Sequence, residues 1–166
     1  VNHFTQFQEI FGFGKKTGID LPGEVNAAGL LYTADSMTAL DLAVNAFGQN
    51  FNATMTQMMA GFCSLINGGQ YYQPRVVKQI TNTDNEVLKT FEPKLLKETV
   101  SSETSEKIRQ YLYATVEKGS GVSARVSGYT IGGKTGTAEK FPRGQGNYLV
   151  SFISFAPVEN PELAFY

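Results

Sequence analysis

Ile131-Gly132-Gly133-Lys134-Thr135-Gly136-Thr137-Ala138-Glu139 places a cation, two hydroxyl side chains and three glycines in one short stretch. Glycine lets a backbone come close to a ligand. Lys and Thr supply donors for an anion. Whether this stretch is a strand or a loop decides the fold.

Read with its upstream neighbours, Gly128 to Thr135 matches the phosphate-loop pattern G-x-x-x-x-G-K-[ST] letter for letter. That loop needs a buried strand before it and a helix that begins at the Lys-Thr pair. Ala124-Arg125-Val126-Ser127 makes a poor buried strand, and Gly136, Pro142 and Gly144 deny a helix downstream. Tyr129-Thr130-Ile131 favour a strand. The stretch is therefore read as a strand over about 129–139. Alternation then points Lys134 and Gly136 to one face and Thr135 and Thr137 to the other. A P-loop nucleotide-binding protein is the alternative set aside. A second Lys-Thr-Gly, Lys16-Thr17-Gly18, lies among loop residues and reads as a turn.

Outward from this strand the chain alternates helix signals with turns. Two further strands are expected over about 147–156 and 162–166, joined through Pro142–Gly146 and Pro157–Pro161. Consecutive strands with short connections pair antiparallel. Upstream, Ser102 with Ser105 and Glu106 starts a helix to about Lys118, with Ile108, Tyr111, Leu112 and Val116 on one face. Gly119-Ser120-Gly121 stops it. Val76, Val77, Ile80, Val87, Leu88 and Phe91 flank Asn82–Asn85, which predicts an exposed hairpin, an insertion near 75–92. Thr54 or Asn52 caps a buried helix over about 54–66, with a Met55, Met58 and Met59 stripe in the core and Asn67-Gly68-Gly69 as its end. Ser36 caps a short helix over 37–46, with Met37, Leu40, Ala43 and Val44 inward. Residues 12–35 read as a long ordered loop, and 2–11 as an amphipathic helix. The sum is an α/β domain of the layered α+β kind, an antiparallel sheet flanked by helices.

Composition narrows the function classes. The 166 residues are 42% hydrophobic and 17% charged, with net charge -1. That is a globular mix with no basic field for nucleic acid and no polybasic run for anionic lipid. One cysteine, Cys63, excludes an intrachain disulfide and a Cys-rich zinc site. A small core hydrophobe is the reading for Cys63, and a surface residue for His3. No metal and no cofactor is expected. The Asp35–Asp41 and Glu103–Glu106 carboxylates fall at helix starts, where capping and the helix dipole account for them. Beside the Lys-Thr-Gly strand, Tyr148 and Phe152 either line a cleft or pack beneath it, and packing is favoured for Phe152.

Several short motifs together resemble one family. Lys134-Thr135-Gly136 is an element of penicillin-binding proteins and serine β-lactamases. Phe11-Gly12-Phe13-Gly14 through Thr17-Gly18-Ile19-Asp20-Leu21-Pro22-Gly23-Glu24 is similar to a segment of the class B (monofunctional, high-molecular-weight) penicillin-binding proteins. Phe47-Gly48-Gln49 with Ala53-Thr54-Met55-Thr56-Gln57 resembles their Gly-Gln-Gly…Thr-Pro-x-Gln segment, with Asn50 in place of the second glycine and Met55-Thr56 in place of Thr-Pro. Asn67-Gly68-Gly69, Pro74-Arg75 and Gly132 to Glu139 complete the set. The resemblance runs over nearly the whole chain, to the C-terminal part of the transpeptidase domain.

That resemblance implies a β-lactamase/transpeptidase-like fold, incomplete within these residues, with residues 1–166 forming one portion of a single domain. It implies a serine-type D,D-transpeptidase that cross-links peptidoglycan stem peptides and is acylated by β-lactams. A β-lactam sensor, a β-lactamase and a D,D-carboxypeptidase of the same fold are the alternatives. Lys134 would supply positive potential and hydrogen bonding. Thr135 and Thr137 hydroxyls would bind the ligand carboxylate, Gly136 would leave room for the ligand, and the Thr137 N–H would be an oxyanion donor. No serine of the chain begins a Ser-x-x-Lys or a Ser-x-Asn. The nucleophile is expected in a preceding part of the same domain, so these residues alone should be inert. The parent protein is expected to be membrane-anchored, with its catalytic domain on the extracytoplasmic face.

Overall fold

Capping chemistry and side-chain periodicity set where each helix begins and which side it buries. A computed structural model describes all residues, Val1–Tyr166. Helix α1 spans Asn2–Ile10, α2 spans Ala39–Asn45, α3 spans Met55–Ile66 and α4 spans Ser102–Lys118. The long segment between α1 and α2 holds only a 3-10 turn at Ala28–Leu30.

Helix α3 begins at Thr54, whose hydroxyl accepts from Gln57 N–H while the Gln57 side chain returns a bond to Thr54 N–H. This reciprocal box satisfies two of the donors that a helix start leaves bare. Gln57 is buried because its Nε2 also donates to the Lys15 carbonyl at 2.6 Å. The cap of α2 is Thr38 rather than Ser36, since only Thr38 has a partner three residues on: Asp41 completes a capping box. Ser36 instead bonds Thr33 in a local turn. Leu40 and Ala43 consequently face solvent, and Asn45 turns inward. In α4 the cap is Ser101, one residue before the expected start, and Tyr111 lies outside the buried face.

The core forms where α3 and α4 meet the sheet. Phe62 and Ile66 of α3 pack with Ile153, Phe155 and Val158, and Leu112 and Tyr113 of α4 close over them. The methionines divide: Met59 packs against this core, whereas Met55 is solvent-facing and not a core residue.

Strands β5 (Gly132–Glu139), β6 (Tyr148–Ala156) and β7 (Leu163–Phe165) form an antiparallel sheet in that order, with β5 at an edge. β5 begins three residues later than its sequence suggests, after Tyr129-Thr130-Ile131. Thr130 is used otherwise: its hydroxyl donates to Glu159 Oε2 and accepts from Val158 N–H. The β5–β6 register is unbroken from Gly132 opposite Phe155 to Glu139 opposite Tyr148. The Lys134 side chain and the Gly136 position therefore lie on one face, and the side chains of Thr135 and Thr137 on the other.

The expected hairpin is present as β2 (Gln79–Thr81) and β3 (Val87–Thr90), all exposed. Sequence reading missed the pair beneath it. β1 (Gln70–Tyr72) and β4 (Leu95–Glu98) also pair antiparallel, so the hairpin is the tip of a longer two-stranded arm.

Candidate active-site edge

The outer edge of β5 gathers the predicted residues. In an antiparallel ladder each residue either turns both backbone groups to its partner strand or turns both away. Lys140 N–H bonds the Asn147 carbonyl at 2.9 Å, which fixes the even-numbered residues of β5 as the ones facing β6. Thr135 and Thr137 then face outward. Their carbonyls agree: Thr135 O accepts from Lys134 Nζ at 2.8 Å, and Thr137 O accepts from Gln49 Nε2 at 3.0 Å. The Thr137 N–H points out of the same open edge. The Lys134 side chain curls onto that edge, so an ammonium and an outward amide lie along one line of backbone.

The end of α4 supports this edge. Ser120 Oγ lies 3.0 Å from Thr135 Oγ1. Gly136 keeps the strand slim, since a Cβ there would stand 2.7 Å from Ser151 Oγ. Behind it, Phe152 packs over Gly133, where a Cβ would meet the ring at 2.5 Å and the Ile153 carbonyl at 2.8 Å. Phe152 is thus a packing residue, whereas Tyr148 is exposed at the far end of β6. A phosphate-binding loop is excluded here, because Lys134 and Thr135 lie within a strand and no helix follows.

Two contributors were not legible as such. Gln49 stood in a family-like segment without a role, and the structure brings it to β5 across 88 residues of sequence. Ser120 read only as part of a helix stop; a serine between two glycines at the end of α4 was the available signal.

The first Lys-Thr-Gly is a loop clasp. Glu24 Oε1 accepts from Thr17 N–H and from the Thr17 hydroxyl, both at 2.6 Å, and Oε2 accepts from Gly18 N–H at 3.0 Å. Desolvation pushes the Glu24 carboxyl upward, but these hydrogen bonds outweigh it and hold it below the ordinary carboxylate value. Cys63 is half-buried on α3, and its thiol is pushed up by burial, which suits a packing residue over a nucleophile.

The family model of the penicillin-binding protein transpeptidase domain matches residues 1–166. The chain belongs to the penicillin-binding protein transpeptidase family. It is 41% identical over 160 residues to Stage V sporulation protein D of Bacillus subtilis, covering 94% of this chain and 24% of that protein. It is 32% identical to penicillin-binding protein PbpB of Mycobacterium tuberculosis, covering 91% of this chain and 24% of that one. Among solved structures, penicillin-binding protein 3 of Mycobacterium tuberculosis complexed with ampicillin superposes with a TM-score of 0.84 at 30% identity, over 99% of this chain and 38% of its own. The fold is that of penicillin-binding transpeptidase domains, and the chain spans about a quarter of the length of these relatives.

Proposed function

We propose that residues 1–166 are the C-terminal part of the transpeptidase domain of a peptidoglycan D,D-transpeptidase, and that the edge of β5 is one wall of its acyl-transfer site. The observation that carries this is the Lys134 ammonium, held on Thr135 O, and the outward Thr137 N–H along one unpaired strand edge, with the Thr135 and Thr137 side chains together on one face beside it. A protein named peptidoglycan D,D-transpeptidase FtsI homolog, 34% identical over 140 residues, supports the reaction class. Solved relatives complexed with ampicillin and with aztreonam support β-lactams as ligands.

In this reading a serine from the preceding part of the domain attacks the penultimate D-Ala carbonyl of a stem peptide. The C–N bond to the terminal D-Ala breaks, and that residue leaves as the free amino acid, its amine taking a proton. An amine of a second stem then attacks the ester carbonyl and releases the serine. The Thr135 and Thr137 hydroxyls bind the terminal carboxylate, with the Lys134 ammonium beside it. Thr137 N–H donates to the developing oxyanion, a contribution of about 3 kcal/mol for a donor so placed. Peptidoglycan stems and β-lactams are the ligands, and the preceding part of the domain is the partner. The parent protein is anchored in the membrane with this domain outside the cytoplasm; none of the helices in these residues is long and apolar enough to cross a membrane.

The test is turnover by the whole domain of a stem-peptide mimic ending in D-Ala-D-Ala. Release of D-Ala and formation of a cross-linked product with an added amine are expected. Acylation by penicillin without turnover would instead identify a β-lactam sensor.

A further inference from the structure

The connection from α4 to β5 is fastened at both ends and opens into a cavity between them. At its start Ser120 Oγ lies 3.0 Å from Thr135 Oγ1. At its end the Thr130 hydroxyl bonds Glu159 Oε2 and Val158 N–H. Between these ties come a 3-10 turn at Val122–Ala124 and a turn closed by Tyr129 N–H on the Val126 carbonyl at 3.2 Å. The cavity they leave, of about 530 Å³, is lined by Glu117, Val122, Arg125, Val126 and Tyr129. Val122, Val126 and Tyr129 are exposed. Arg125 Nε lies 3.4 Å from Glu117 Oε1. Glu117 thus holds the guanidinium from the Nε side, and the terminal Nη1 and Nη2 have no hydrogen-bond partner in the chain. Two such nitrogens form a planar fork that grips a carboxylate through parallel hydrogen bonds.

The direction of the reaction leads towards this connection. With the donor carboxylate at the Thr135 and Thr137 hydroxyls and the scissile carbonyl at Thr137 N–H, the departing amino acid lies on the Thr135 side, next to Ser120. The second step is the first in reverse with a different amine. By microscopic reversibility the incoming nitrogen enters where the first one left. The chain that carries this second amine therefore extends past Thr135 and Ser120, along the connection that follows α4. A cavity of this size takes a small part of such a chain.

We propose that the α4–β5 connection is the acceptor subsite: the amine-bearing stem peptide lies against Val126 and Tyr129, and its terminal carboxylate is bound by Nη1 and Nη2 of Arg125, which Glu117 orients. The proposal rests on the reading of Lys134–Thr137 given above. It names the acceptor class as an amine on a chain that ends in a carboxylate. In the step itself the acceptor nitrogen attacks the ester carbonyl of the acylated serine. A C–N bond forms, the C–O bond to the serine breaks, and one N–H proton passes to the serine oxygen. Arg125 and Glu117 touch none of these atoms. They bind the far end of the acceptor, so their contribution appears in acceptor preference.

The test uses the whole domain with a thioester that mimics the donor stem. Thiol release reports acylation, and the amount of cross-linked product reports transfer to an added acceptor. Two acceptors are compared over a range of concentrations: a stem peptide whose single carboxylate is C-terminal, and the same peptide as its C-terminal amide. The unaltered domain should reach half-maximal transfer at a lower concentration of the carboxylate form. Arg125→Ala, at an exposed site, should reduce that preference about fivefold, the scale of one partly exposed charge pair. Arg125→Lys, which keeps the charge and loses the fork, should restore only part of it. Equal use of the two acceptors by the unaltered domain, or a preference that survives in Arg125→Ala, would overturn the proposal and leave the reading of Lys134–Thr137 standing. Failure of the unaltered domain to release thiol, or to form cross-linked product with either acceptor, would overturn that reading together with the proposal.

Discussion

Single side chains on β5 are the most exposed to test. Lys134→Ala removes the cation held on the strand edge and should slow acylation of the whole domain by penicillin by about 10² to 10³, as for loss of a preorganised electrostatic group, with the thermal midpoint barely moved because Lys134 is exposed. Stopped-flow acylation beside a thermal melt checks both halves of that expectation. Gly133→Ala should behave in the opposite way. Its Cβ would press on the Phe152 ring and on the Ile153 carbonyl, and the carbonyl belongs to a paired backbone that cannot turn aside. A loss of about 1–3 kcal/mol is expected from such overpacking, read as a lowered denaturation midpoint. At this scale the sequence was informative wherever chemistry is local. The alternation of Lys134, Thr135, Gly136 and Thr137 could be read directly, because an unbroken strand keeps its period. Gln49 and Ser120 could not be found as partners, because only the folded chain decides which distant side chain reaches an outward carbonyl. The cap of α2 was a near miss of a different kind. Ser36 is the better cap residue in isolation, and Asp41 three residues after Thr38 was the deciding feature.

At the level of elements, the arm is held by a loop carboxylate. Asp20 Oδ1 accepts from Val76 N–H at 2.7 Å and Oδ2 from Val77 N–H at 2.9 Å. The Val77 and Val76 amides, in that order, hold the Asp20 carboxyl below its ordinary value of 3.8. A carboxylate whose value is lowered by folding stabilises the folded state above its unfolded value, and that contribution disappears as pH falls through the folded one. Amide exchange at Val76 and Val77, corrected for intrinsic rates, should therefore show full protection near neutrality and a loss only below the usual carboxylate range. Asp20→Asn should show the weaker protection at every pH; unchanged protection in that variant would remove Asp20 from this role. The tip of the arm, β2 and β3, was legible from its alternating apolar residues around Asn82–Asn85. Its base was not. Gln70–Tyr72 and Leu95–Glu98 are short, and each is stabilised by a partner on the other side of the tip rather than by any pattern of its own.

Across the whole molecule, exposure is the governing quantity. The chain presents 10792 Å² of accessible surface, about a third more than the ~8,100 Å² expected for a self-contained monomer of 18.1 kDa. Many large apolar side chains are exposed, among them Leu40, Phe47, Tyr111, Tyr129 and Phe141. A groove of about 650 Å³ between α3, the arm and the last strand is lined by Ile19, Met55, Met59, Tyr72, Phe165 and Tyr166. In the function proposed above, a preceding part of the domain covers such a face and supplies the Ser-x-x-Lys that these residues lack. The fold class and the site strand could be read from the sequence, because periodicity and motif lie along the chain. The incomplete burial could not, since it depends on which faces find partners. The most direct measurement is covalent labelling with a fluorescent penicillin, followed by gel and mass spectrometry, on residues 1–166 alone and on the same residues joined to the part of the domain that precedes them. The joined protein should carry a stable adduct on a serine outside residues 1–166, and these residues alone should carry none. A stable adduct on one of their own serines would contradict the assignment of β5 as one wall of a site completed from elsewhere.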